Sequence, residues 1–282
     1  MNGILERTLA ILELLARHGQ GLELVAISEA LGIPKSAVHR LLASLIQAGY
    51  VRQIKGHGQY LLTTKLVSIG LSYLSQSGIV DMAQPLLNQL AERSGELVRL
   101  SVVDGERLTW VARAQGARQG LRYDPDMGSD ARLSCSSSGW AWLSTLPDDQ
   151  ALALVARQGL GSPSDFGPNA PTSLQAVMQA VQTSRERGHS ITVDTYTLGL
   201  SAMSAPVRFS GQAAFGVVTI AGPSVRLDAA RMAELAPELL ACAEQLAAAS
   251  GASPFFRLTT LTAGDKAAGP DADQQAQPIY AP

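Results

Sequence analysis

Lys35, Ser36, His39 and Arg40 lie along one side of the stretch Pro34 to Ala48, with Ser44 a turn further on. Val38, Leu41, Leu42, Leu45 and Ile46 recur on the other side at i, i+3, i+4, i+7 and i+8, the spacing of one buried helix face. Short polar and basic donors near the start of such a helix are suited to reading base edges in a major groove. Pro34 supplies the φ favoured in a first helical turn, and Gly49 closes the segment. Beyond it, Tyr50-Val51-Arg52-Gln53 and Gln59-Tyr60-Leu61-Leu62 read as two short strands around the glycine-bearing tip Lys55-Gly56-His57-Gly58. From such a hairpin, Arg52 and Lys55 are placed to hold phosphate.

A second group lies far downstream. Ser134-Cys135-Ser136-Ser137-Ser138-Gly139 precedes a helix that begins near Trp140. Hydroxyls and unpaired amides at a helix start favour an anion, and a carboxylate gains charge-assisted hydrogen bonds there. A plain helix cap rich in small residues remains open beside that reading. Asp194-Thr195-Tyr196-Thr197-Leu198-Gly199-Leu200 forms an irregular polar loop entering a strand. Covalent catalysis would need Cys135 or a nearby serine to find a base. His189 is the only histidine beyond residue 57, Asp194 stands alone, and no Gly-x-Ser-x-Gly elbow is present. These missing partners weigh against an enzyme, although a hydrolase or transferase using Cys135 or a neighbouring serine remains the rival class.

Several elements must position these groups. Leu5, Leu9, Leu12 and Ala16, with Ile11 and Leu15 widening the stripe, mark an amphipathic helix over Ile4 to Ala16, and Leu24 to Leu31 forms a short one ending at Gly32. With the segment from Pro34 and the hairpin, this makes a winged helix-turn-helix over residues 1–63. Leu62, Leu66, Ile69 and Tyr73 then repeat at 4, 3 and 4, a linker helix over 64–79 that either pairs with a second copy or docks on its own chain. Asp81 caps a further helix through Arg93. Asp104-Gly105 turns a hairpin between Leu97–Val103 and Arg107–Ala114. Thr172-Ser-Leu-Gln175 fits a capping box for a helix to Arg187. Strands follow at Ile191–Asp194, Leu200–Arg208 and Ala213–Ala221, then a long helix kinked at Pro237. The fold class is α+β, with a mainly antiparallel sheet flanked by helices over residues 80–250. The Gly-, Ala-, Pro- and Gln-rich residues 251–282 read as a disordered tail.

Composition narrows the remaining choices. The 282 residues are 46% hydrophobic and 16% charged, with a net charge of −2. Within the first 66 residues, Arg7, Arg17, Lys35, Arg40, Arg52, Lys55 and Lys65 face Glu6, Glu13, Glu23 and Glu29, a local net charge of +3 that leaves −5 elsewhere. Only the head is therefore expected to meet a polyanion. No apolar run approaches the ~18–20 residues of a membrane span. Two cysteines, Cys135 and Cys242, make no disulfide framework, and no Cys/His cluster has zinc spacing. A cytoplasmic chain with no metal, no cofactor and no membrane partner is expected.

The sequence resembles the IclR family of bacterial transcription regulators from Ile4 to Ala248. Leu31-Gly32-Ile33-Pro34-Lys35-Ser36-Ala37-Val38-His39-Arg40-Leu41-Leu42, with Gly49-Tyr50-Val51, looks like the family's recognition-helix signature. Gly199-Leu200-Ser201-Ala202-Met203-Ser204-Ala205-Pro206-Val207 and Ile220-Ala221-Gly222-Pro223 are similar to its two carboxy-terminal strand motifs. The resemblance implies a GAF-like effector domain, homodimers or dimers of dimers on double-stranded operator DNA, and no catalysis. Carried over by position, the effector cup would include Ser137, Ser138, Asp194, Leu200, Ala202, Thr219 and Ala221, to which the serine run adds Ser134 and Cys135. Arg132 and Trp140 stand where the family usually has proline and lysine. That Arg and the hydroxyls point to a small organic acid. Trp110, Trp140, Trp142 and Tyr196 near the cup favour an aromatic carboxylate, with an aliphatic keto acid the rival.

Overall fold

The computed structural model describes residues 3–250 except 55, 57 and 126–128. The disordered tail expected over 251–282, and Lys55 at the wing tip, lie outside the described residues. The chain divides into two compact units, Met1–Gln76 and Ser77–Pro282.

The first unit contains α1 (Ile4–Ala16), β1 (Leu22–Glu23), α2 (Leu24–Leu31), α3 (Lys35–Gln47), β2 (Val51–Gln53), β3 (Gln59–Leu62) and most of α4 (Lys65–Ser77). Its core joins Ile11 and Leu15 of α1 to Ile27, Val38, Leu42, Leu45, Val51 and Tyr60. The α1 stripe differs from the expected one: Leu5, Leu9 and Ala16 are exposed, and the buried face centres on Ile11 and Leu15. Ile46 of α3 is exposed as well. Gly32 ends α2 in the left-handed region at φ 63°, as a helix followed at once by another requires. Ser28 Oγ donates to the Ile33 carbonyl at 2.6 Å and fixes the turn into α3. Pro34 is the N-cap of α3, one residue before the helix. The wing gains a strand that the sequence did not signal, because β1 has only two residues; its order is β1-β3-β2, all antiparallel.

The second unit is a five-stranded antiparallel sheet of order β5-β4-β8-β7-β6. Its strands are β4 (Leu97–Asp104), β5 (Arg107–Gln115), β6 (Ser190–Val193), β7 (Leu200–Val207) and β8 (Gly216–Pro223). On one face α5 (Ile79–Ser94) and α9 (Ala229–Ser250) bury Val98, Leu100, Met203, Ala205, Val218 and Ile220. On the other lie α6 (Ser137–Leu143), α7 (Asp148–Gln158) and α8 (Leu174–Arg187), with a core around Leu133, Trp140, Trp142 and Val181. Two caps and one turn differ from the sequence reading. Gly78, not Asp81, precedes α5. Ser173, not Thr172, caps α8 by accepting from the Ala176 amide. Asp104 pairs with Arg107, so Gly105-Glu106 forms the β4–β5 turn, with Gly105 at φ 60°.

Candidate functional site

In the first unit, α3 holds its buried side down through Val38, Leu42 and Leu45. Lys35, Ser36, His39 and Arg40 are all exposed on the helix, and so is Arg52 on β2. No hydrogen bond or ion pair among the described residues engages these five side chains, so they are open to a ligand. Lys65 is different. Its Nζ donates to the Ala48 carbonyl at the end of α3 at 2.7 Å and lies 4.5 Å from the Tyr50 ring centroid. It locks the helix to the wing.

In the second unit, strand alternation decides which side chains meet. Arg113, Arg99, Thr219, Ser204 and Ser190 are cross-strand partners in one row across all five strands. The adjacent row carries Ala221, Ala202 and Thr192. A narrow cleft lies over these rows; its empty space is about 400 Å³ only when the open solvent at its mouth is counted. Arg99, Trp110, Tyr123, Ser136, Ser137, Ser138, Thr192, Tyr196, Leu200, Ala202, Thr219 and Ala221 line it.

Arg99 is its electrostatic centre. The residue is 5% exposed, and its Nε and Nη1 are sealed from water with no hydrogen-bond partner. Its guanidinium carbon lies 3.9 Å from the Trp110 ring centroid and 5.8 Å from that of Tyr123. Burial lowers its pKa below the ordinary arginine value, while Tyr123 and Tyr196 act in the opposite sense and Arg113 reinforces the fall. Burial likewise raises the Tyr123 phenol, which Arg99 pulls back down. Trp110 reaches this position through a bulge: Leu100 pairs with Ala112 but Ser101 with Trp110, so Val111 is the extra residue of β5. The extra residue reverses the strand's facing. Ala112 and Ala114 go to the α5/α9 core, while Leu108 and Trp110 go to the α6 side.

A chain of hydroxyls runs from the neighbour of Arg99 in its row to α6. Ser137 Oγ is 2.7 Å from Ser204 Oγ, which is 2.8 Å from Thr219 Oγ1. Ser190 Oγ donates to the Ser137 carbonyl at 2.6 Å and ties α6 to the sheet edge. Ser136 caps α6, accepting from the Gly139 amide at 3.0 Å. Gly139 permits the close packing behind it, since an added Cβ would lie 2.7 Å from the Leu133 Cα.

Six of the nine expected effector residues meet at this cavity: Ser137, Ser138, Leu200, Ala202, Thr219 and Ala221. Ser134, Cys135 and Asp194 do not line it. Ser134 Oγ donates to the Leu160 carbonyl. Cys135 is buried, and burial pushes its thiol up to about 11. Asp194 adopts φ 53° and accepts from the Gly199 amide at 2.6 Å, closing its own loop. Arg132 is outside too, stacked at 5.6 Å on Phe166. Trp140 and Trp142 belong to the core, and Trp140 Nε1 donates to the Ser134 carbonyl. The sequence reading missed Arg99, Tyr123, Thr192 and Ser136. An arginine inside the mostly apolar run Leu97 to Val103 was the available signal for the first.

The model of the bacterial transcriptional regulator IclR C-terminal domain matches residues 71–248, and that of the IclR helix-turn-helix domain matches residues 4–55. The chain belongs to the IclR family of bacterial transcriptional regulators. The acetate operon repressor of Salmonella typhimurium is 27% identical over 88% of this chain and 89% of its own. The transcriptional repressor IclR of Escherichia coli K12 is 26% identical over the same shares. Among solved structures, an IclR regulator from Alicyclobacillus acidocaldarius superposes with a TM-score of 0.76 at 21% identity, covering 88% of this chain and 98% of that one. These matches make the first unit a DNA-binding head and the second an effector-binding body. The relatives named are repressors, not enzymes. Among the described residues no helix is long and apolar enough to cross a membrane, and no group of three or more His, Cys, Asp or Glu residues is arranged to hold a metal.

Proposed function

We propose that this IclR-family regulator releases or engages its operator in response to a small organic acid held in the cavity of the body. The buried cation Arg99 in the cavity wall, which has Tyr123 but no carboxylate as a partner, carries the reading of the ligand. Desolvating a cation without a counter-charge is costly, and an entering carboxylate offsets that cost with charge-assisted hydrogen bonds. The rings of Trp110, Tyr123 and Tyr196 around it favour an aromatic carboxylate over an aliphatic keto acid. The repressor names of the relatives support repression as the mode of action.

On the DNA side, Lys35, Ser36, His39 and Arg40 meet base edges and nearby phosphates, and Arg52 and Lys55 hold phosphate from the wing. A head of modest positive charge gains affinity by doubling its contacts in a homodimer or dimer of dimers, whose half-sites lie about 34–36 Å apart or a multiple of that. Exposed Leu5 and Leu9 on α1, with Val67 and Leu71 on α4, support association between copies. Arg40→Ala should weaken operator retention by ~1–3 kcal/mol in a mobility-shift titration at fixed salt, as loss of a base contact does. Unchanged retention would remove Arg40 from the interface. Addition of aromatic monocarboxylates to the same titration should change retention by the unaltered chain.

A further inference from the structure

Arg99 is the one formally charged side chain among the described residues that line the cavity. Ser137, Ser138, Thr192 and Thr219 contribute neutral hydroxyls, and aromatic or apolar groups make up most of the rest. The titratable and charged groups whose fields reach the Arg99 guanidinium are Tyr123, Tyr196 and Arg113, none of them a carboxylate. Arg113 shares the Arg99 row but is bonded to Asp124 at 2.6 Å, and it is not among the cavity-lining residues. The Trp110 face under the guanidinium holds its plane in place without neutralising it.

We propose that Arg99 sets the charge specificity of the cavity: it admits ligands bearing one carboxylate and turns away both their uncharged isosteres and their dicarboxylate homologues. This rests on the reading of the cavity as an effector site. One carboxylate beside the part of the guanidinium that lines the cavity cancels its charge. A carboxamide leaves the cation buried and uncompensated, with weaker hydrogen bonds. A second carboxylate meets only hydroxyls and rings, so its desolvation has no matching cation. Discrimination of this kind comes as much from what the site leaves unpaired as from what it binds.

The test is melting of the full chain with a panel of aromatic and aliphatic monocarboxylates. Each is measured beside its carboxamide and its dicarboxylate homologue, with benzoate, benzamide and terephthalate as the first set. A ligand that binds only the folded body raises its melting point. Monocarboxylates should do so, with dissociation constants about 10–100-fold below those of their amides and dicarboxylates, as loss of a charged hydrogen bond implies. Arg99→Gln should erase the preference for acid over amide. Amides or dicarboxylates binding as tightly as the monocarboxylates, or Arg99→Gln keeping the full preference, would overturn the proposal. Should Arg99→Gln fail to fold, the three-way comparison on the unaltered chain decides alone. If no monocarboxylate raises the melting point, the reading of the cavity as an organic-acid site fails, and the charge rule fails with it. If acids, amides and dicarboxylates all bind alike, the cavity remains a ligand site and only the charge rule is lost.

Discussion

Glu96 is a buried carboxylate with a single dedicated counter-ion. Arg226 Nε donates to its Oε1 at 2.7 Å and Nη2 to its Oε2 at 2.9 Å, a two-pronged pairing that suits the planar guanidinium. Glu96 raises the Arg226 pKa above the ordinary arginine value through that bond. Removing one partner of a buried pair leaves the other charge without compensation. Arg226→Gln should therefore cost about 2–3 kcal/mol in a urea titration, less than the loss of a fully buried partner because Arg226 is partly hydrated. Cys135 gives a second expectation at this scale. Burial comes first among the causes that push its thiol up to about 11, so at pH 8 only on the order of one in a thousand is thiolate, the reactive form. Iodoacetamide should label Cys135 slowly in the folded chain and quickly after denaturation. Rapid native labelling would revive the nucleophile reading. Burial and Arg187 lower the His189 pKa, but no hydrogen bond joins that ring to Cys135.

At the scale of elements, the bulge at Val111 decides the chemistry of the cavity. Without the extra residue, Trp110 would share a face with Ala112 and Ala114, which pack against α5 and α9. With it, the indole lies beneath the Arg99 guanidinium. Trp110→Leu should weaken monocarboxylate binding about tenfold in isothermal titration, consistent with losing a desolvated cation–π contact worth ~1–2 kcal/mol, while leaving far-ultraviolet circular dichroism unchanged. Unaltered affinity would mean that the ring does not support the guanidinium. The periodicity of α3 and the polar tip it presents were readable because buried and exposed positions follow one simple repeat over thirteen residues. The strands of the body were readable to within a few residues for the same reason. The cavity was readable only in part. Ser137, Ser138, Thr219 and Ala221 belong to local motifs, whereas Arg99 meets them through cross-strand register and Tyr123 comes from the irregular segment after β5, so their neighbours could not be read from local pattern. The serine run misled at Ser134 for a physical reason: its hydroxyl donates to the Leu160 carbonyl, away from the cavity.

The whole molecule consists of two units with separate cores, one around Ile11, Leu42 and Tyr60 and the others on the two faces of the body sheet. Two units of this kind need not unfold together. Calorimetry of the full chain should resolve two transitions, and a bound monocarboxylate should raise only the one that belongs to the body. A single transition, shifted as a whole, would show that the two units unfold as one. Within the head, the contact between Lys65 and Ala48 has a mechanical meaning. The first residue of α4 grips the carbonyl just past the end of α3 and lies over the Tyr50 ring beside it. Thr63, two residues earlier, bonds the Gly49 and Tyr50 carbonyls as well, so the start of α4 is pinned to the end of α3 at several points, and Lys65→Met would loosen that junction without freeing it.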